Sequence, residues 1–184
     1  MRKLFVLIVL ILTGIAAYLW FSPTEPEDTL LTDQELIPDY IAEQVSRILF
    51  DEQGNIADQV QAERLEHFET LGFTQFEKPT YTLYTQNNQP AWQASSQYAV
   101  WFPEDRIILD KQVNIINLQQ DELIEKIETV SLEMLFPDNK LQTDQPVRLL
   151  GKGFYINGVG MRADLTEKTM LILQHQETVY LNEN

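Results

Sequence analysis

Trp101-Phe102-Pro103-Glu104-Asp105 returns 34 positions later as Leu135-Phe136-Pro137-Asp138-Asn139, and this recurrence points to the architecture. At the same offset Ile107 meets Leu141, Val113 meets Val147 and Ile115 meets Leu149. A second phrase occurs four times, as Glu77-Lys78-Pro79-Thr80-Tyr81, Asp110-Lys111-Gln112-Val113-Asn114, Asp144-Gln145-Pro146-Val147-Arg148 and Gln176-Glu177-Thr178-Val179-Tyr180. Its members lie 32 to 34 residues apart, a period of stacked supersecondary units that bury one core together. Each unit has room for two strands and two turns, so the chain reads as successive antiparallel β layers.

The surrounding composition agrees. Short runs of β-branched and aromatic residues alternate with turn clusters at Asp51–Asn55, Gln86–Pro90, Pro103–Asp105 and Pro137–Asn139, and Asn157-Gly158 is a two-residue hairpin signal. Strands are expected over Thr80–Tyr84, Trp92–Val100, Ile107–Ile116 and Met170–Tyr180. Two stretches carry helical spacing instead: Ala62, Leu65, Phe68 and Leu71, and Leu123, Ile127, Val130 and Met134. The repeat aligns Leu65 and Phe68 with Ala99 and Phe102 in a strand-like unit, so both stretches are assigned as strands.

Outward from the repeat, the N-terminal part differs in kind. Leu4–Phe21 holds no charge over eighteen residues, enough for a helix of about 27 Å that just spans a bilayer core. Arg2 and Lys3 precede it, and Tyr18, Trp20 and Phe21 close it as an interfacial belt. A cleaved signal peptide cut near Gly14-Ile15-Ala16 would leave those aromatics on the new terminus, so an uncleaved anchor is the better reading. By the positive-inside bias, the remainder crosses to the far side of the membrane. The expected organisation is an anchor over 1–21, an acidic Pro-containing linker over 22–37 and a β domain over 38–184.

Charge and chemistry narrow the function. The chain carries 13 Lys and Arg against 28 Asp and Glu, a net −15, and the part from Ser22 onward holds −17. That balance excludes a protein built to grip nucleic acid, which needs clustered cations. With no cysteine there is no disulfide, thiolate metal site or thiol nucleophile. His67 and His175 lack a ligand partner at metal spacing, and no nucleophile elbow, phosphate loop or HExxH is present. Acidic residues cluster in turns, and Glu133 alternates away from Leu132 and Met134, so no acid/base pair is nominated. The chain is read as a non-enzyme with no cofactor and no metal.

What remains is apolar surplus. Ile107-Ile108-Leu109, Leu149-Leu150 and Met170–Leu173 leave little polar face, which fits either a filled core or an apolar groove for a lipid chain. Four of seven glycines fall between Gly151 and Gly160, as a bulged hairpin with close backbone approach would need.

An anchor, an acidic linker and recurring Gln/Lys-Pro-Val phrases resemble the LptC family, whose relatives share the OstA-type domain. The resemblance runs from Met1 to about Tyr180, most tellingly through Leu49–Gly54, Phe73–Pro79, Pro90–Ala94 and Leu150–Arg162. It implies a half-open twisted antiparallel β-jellyroll that receives lipopolysaccharide from an inner-membrane ABC transporter. It also implies handover to an LptA-like periplasmic bridge protein, joined by end-to-end strand addition. By position, Phe76, Tyr180, Met170 and Val45 match residues near the family's lipid cavity, and Gly151 matches a glycine of the assembly interface. Met170 is larger than the family's residue, and Val45 replaces a polar one. Lys152 or Arg162 near the rim would help hold an anionic ligand. The reading from another class is a periplasmic β scaffold without lipid cargo.

Overall fold

A computed structural model describes residues 37–85, 87–119 and 123–181. The apolar run Leu4–Phe21 lies outside them, and among the described residues no helix is long and apolar enough to cross a membrane. The described part is all-β and antiparallel. Its eleven strands are β1 Tyr40–Phe50, β2 Ile56–Phe68, β3 Phe73–Glu77, β4 Thr80–Tyr84, β5 Pro90–Ser95, β6 Tyr98–Phe102, β7 Arg106–Asn117, β8 Ile124–Leu135, β9 Lys140–Gly151, β10 Phe154–Asp164 and β11 Thr169–Tyr180.

Connectivity is simpler than the strand count suggests. β3 and β4 both pair with β2, at Arg64–Phe68 and Asp58–Gln61, so they are two halves of one lane broken at Lys78-Pro79. β5 and β6 both pair with β7 and form a second broken lane, interrupted at Ser96-Gln97. The sheet is therefore an up-and-down meander in which each lane hydrogen-bonds to the one before it. Among the described residues, β1 pairs only with β2 and β11 only with β10, which makes them the two edges.

The interruptions line up. Gln44 in β1 has φ +53°, Lys78 has +46°, Lys111 and Gln112 have +60° and +55°, and Gly160 has +75°. Register shifts fall between Asp110 and Val113, Thr129 and Glu133, and Val159 and Met161. These positions neighbour one another across the sheet and draw a line of bulges through it. Bulges bend and twist the strands that carry them. Leu132 and Met161 from one side of the line pack with Val113, Ile115, Ile127, Val147 and Leu149 from the other. The bend thus turns both half-sheets' apolar faces toward one interior. A second cluster of Ala62, Phe76 and Ala99 continues it toward β1.

The repeated phrase is the chemical mark of this line. Lys78-Pro79, Lys111-Gln112 and Gln145-Pro146 put a proline or left-handed residues where ladder hydrogen bonds must be given up. The fourth copy, Gln176–Tyr180, sits in β11 opposite a different bulge, the register shift at Asn157/Gly158. The line also explains the misleading helical spacing. Ala62 and Leu65 both face the interior, three residues apart, because the corner between them reverses strand parity.

Two expectations are corrected. Asn157-Gly158 is no hairpin turn; it lies within β10, and Lys152-Gly153 makes the β9–β10 turn, with Gly153 at φ +78°. A side chain at Gly158 would run into Ile172 and the Gln174 carbonyl, so this glycine serves close packing. Trp92–Val100 is two strands, because the corner passes through Ser96-Gln97.

Candidate functional site

The interior face can be followed lane by lane. One row reads Arg47, Val60, Tyr81, Ala94, Ile115, Ile127, Leu149 and Ile156. Beyond the corner a second reads Ala42, Leu65, Phe76, Ala99, Leu109 and Leu132. The outer face offsets them with a polar row: Ser46, Gln61, Thr80, Ser95, Asn114, Glu128, Arg148, Asn157 and Glu177. Apolar and polar rows alternate as strand geometry requires.

The interior is not sealed. Ile115, Ile127 and Leu149 are buried at its centre, whereas Tyr81 and Leu83 on β4 and Leu49 on β1 face the same side and stay exposed. Exposed large apolar side chains also collect on the edges: Tyr40, Ile41, Ile48, Leu49 and Phe50 on β1, and Met170, Leu171, Leu173 and Tyr180 on β11. Apolar surface gathered on unpaired strand edges marks a place for another chain or an apolar ligand. A concavity of about 500 Å³ lies on the other side of the sheet. Its wall is mixed, with Thr80, Ser95, Gln97 and Asn114 beside Pro79 and Tyr98.

The positions singled out from the sequence distribute themselves over this surface. Phe76 is 8% exposed and sits in the second cluster, with Val45 packed against it. Met170 and Tyr180 stand at opposite ends of β11, paired with Ala163 and Phe154. Tyr180 is 77% exposed and its ring lies 6.5 Å from that of Phe154. Register places all four on the interior face, but brings only Val45 and Phe76 together. Gly151 is buried at the end of β9, where an added side chain would strike the Phe154 ring and approach the Leu123 carbonyl to 2.6 Å. Arg162 points outward, pairs with Asp144 at 2.6 Å and donates to the carbonyls of Thr143 and Met161. Glu133 accepts from Gln142 at 2.6 Å and pairs with Arg106 at 3.2 Å, a cross-strand ladder.

Arg47 was not singled out from the sequence. It alternates in phase with Val45 and Leu49, so it lies on the apolar side, and that phase was the available signal. Its guanidinium pairs with Asp58 at 2.8 Å. Tyr81 beside them is 37% exposed, and the covering of the rest of its side chain, together with the Asp58 charge, pushes its hydroxyl up to about 12, with Arg47 opposing. Among the described residues no group of acidic, His or Cys side chains could hold a metal ion.

Comparison with known proteins completes the picture. The family described as "Lipopolysaccharide-assembly, LptC-related" matches residues 6–181. The chain belongs to this LptC-related family. It is 21% identical over 147 residues to the lipopolysaccharide export system protein LptC of Escherichia coli K12, covering 80% of this chain and 77% of that one. The Haemophilus influenzae Rd protein of the same name is 22% identical in an alignment covering 94% of this chain and 92% of that one. Among solved structures, LptH of Pseudomonas aeruginosa, described as an LptA-homologous periplasmic component of a lipopolysaccharide transport device, aligns with TM-score 0.48. That match has 10% identity over 62% of this chain and 80% of the other. Membership of the LptC-related family gives the open apolar face and the two strand edges their context.

Proposed function

We propose that the protein is an inner-membrane-anchored, periplasmic lipopolysaccharide carrier, and that its bent meander works as a half-open twisted β-jellyroll. Lipid enters from an ABC transporter in the inner membrane and leaves to an LptA-like bridge protein. The observation that carries this reading is an apolar interior face, exposed at Leu49, Tyr81 and Leu83, in a chain of the LptC-related family. Acyl chains laid along that face stay out of water, which otherwise costs about 0.8 kcal/mol per methylene. Transfer between two such faces is nearly isoenergetic, and the transporter's ATP cycle supplies direction.

Val45 and Phe76 line the interior near β1, and Met170 and Tyr180 extend it along β11. The β1 and β11 edges take strands from the neighbouring proteins, so that one face continues through the assembly. Gly151 acts on assembly indirectly, by leaving room for the Phe154 ring that supports Tyr180. Apolar burial holds the ligand, because a domain of net −17 repels phosphorylated lipid at long range. The test is co-purification of the full chain from detergent-solubilised membranes. Transporter subunits and lipopolysaccharide should be retained together, and a chain recovered with neither would overturn the proposal.

A further inference from the structure

The interior face carries one cation that an acyl chain does not need. Among the described residues, Arg47 is the Arg or Lys whose register puts it on the apolar side of a strand: it lies opposite Val60, between Val45 and Leu49 in alternation. Arg64, Arg106, Lys126, Arg148 and Arg162 all alternate with interior residues and face outward. A cation on an apolar wall costs desolvation unless it is used. Its partner offsets part of this, because Asp58 accepts one N–H from Nη2 at 2.8 Å. That contact is one of the five that a guanidinium can make. The Arg47 side chain remains 53% exposed while Asp58 is only 13% exposed, so the carboxylate is fixed in the wall and the guanidinium reaches out of it.

Resting on the lipid-carrier reading, we propose that Arg47, held by Asp58, binds the phosphate of a phosphorylated glycolipid whose acyl chains lie against Val60, Tyr81 and Leu83. A planar guanidinium can hold a carboxylate through one edge and a phosphate through another, which a lysine cannot do as well. The arrangement reconciles an acidic domain with an anionic ligand. Long-range repulsion is overcome by burial, and one short-range donor beside the apolar wall sets where the headgroup stops. Asp58 is a positioning residue here: it orients the fork and touches no ligand.

The full chain in detergent micelles is titrated with lipid A carrying both phosphates and with the same lipid A stripped of them. The wild type should prefer the phosphorylated form by about tenfold, the scale of one charged hydrogen-bonded contact. Arg47→Gln should erase the preference between the two lipids. Asp58→Asn should weaken the preference without erasing it, because the cation survives but loses the carboxylate that orients it. A merely structural ion pair predicts instead that R47Q and D58N behave alike. A preference that persists in R47Q, or none in the wild type while both lipids bind, overturns the assignment and leaves the carrier reading intact. Wild-type protein that binds neither lipid overturns both. Inorganic phosphate that displaces the phosphorylated lipid at millimolar concentration would make this a free-anion site and refute the glycolipid assignment.

Discussion

Gly151→Ala isolates a single contact on which the β9–β10 turn and the end of β11 depend. The glycine does not occupy a left-handed conformation, so alanine meets no backbone penalty there. Reduced freedom of the unfolded chain would even favour alanine by about 0.4–1 kcal/mol. Packing decides the sign. The new Cβ would enter the volume of the Phe154 ring and would stand 2.6 Å from the Leu123 carbonyl oxygen. Overpacking of this kind costs about 1–3 kcal/mol. Displacing the ring also weakens its contact with Tyr180, which is largely exposed and adds only about 0.5 kcal/mol. The net expectation is a loss of about 2 kcal/mol. Phe154→Ala removes a half-buried ring and should cost a similar amount by itself. In the double variant the introduced methyl group fills part of the space vacated by the ring, so the two losses overlap by about 1.5 kcal/mol. Urea unfolding followed by tryptophan fluorescence measures all four corners of this cycle, with an unchanged m-value as the check on two-state behaviour. Losses that add to within about 0.5 kcal/mol would refute the claim that Gly151 exists to admit Phe154.

Other expectations separate stability from function. Met161 is 0% exposed at the junction of the two half-sheets, so Met161→Ala should cost about 2–5 kcal/mol in the same unfolding assay. Tyr180→Ala should change stability by no more than about 0.5 kcal/mol yet reduce lipid transfer to a bridge-type acceptor. Gln112 has φ +55°, so Gln112→Gly should leave stability equal or higher by up to about 1 kcal/mol, whereas Gln112→Val should lower it by about 1–2 kcal/mol. The Tyr81 phenol ordinarily ionises at 10.0 and here at about 12, so the folded state holds its proton more tightly than the unfolded one. Its contribution to stability is complete below pH 10.0 and is lost as pH rises toward 12. Carbon-detected tyrosine NMR should show that Arg47→Gln moves this ionisation further up and Asp58→Asn moves it down.

The fold was largely legible because its repeat is chemical. Pro and left-handed residues recur where three of the lanes break their ladders, and the spacing of Lys78-Pro79, Lys111-Gln112 and Gln145-Pro146 betrays the corner line. That same line hid details. It reversed strand parity between Ala62 and Leu65 and so imitated a helix, and it cut Trp92–Val100 in two. Asn157-Gly158 misled because a glycine chosen for close contact with β11 has the same letters as a hairpin turn. The candidate site was legible only through the family resemblance, which put forward Val45, Phe76, Met170 and Tyr180. Register places all four on one face, but the exposure of Tyr81 and Leu83 depends on which parts of that face the bend leaves uncovered. Arg47 was passed over because a charged residue in a strand reads as outward-facing unless its phase is checked against its neighbours.

The central claim is that lipid travels along the interior face and not elsewhere on the domain. A photo-crosslinking residue placed at Phe76 or Leu83 faces inward, and one at Gln75 or Thr82 occupies the adjacent position on the other side of the same strand. In actively exporting cells, lipopolysaccharide adducts should form at Phe76 and Leu83 and not at Gln75 or Thr82. Equal labelling of both faces, or none at Phe76 and Leu83, would contradict the claim.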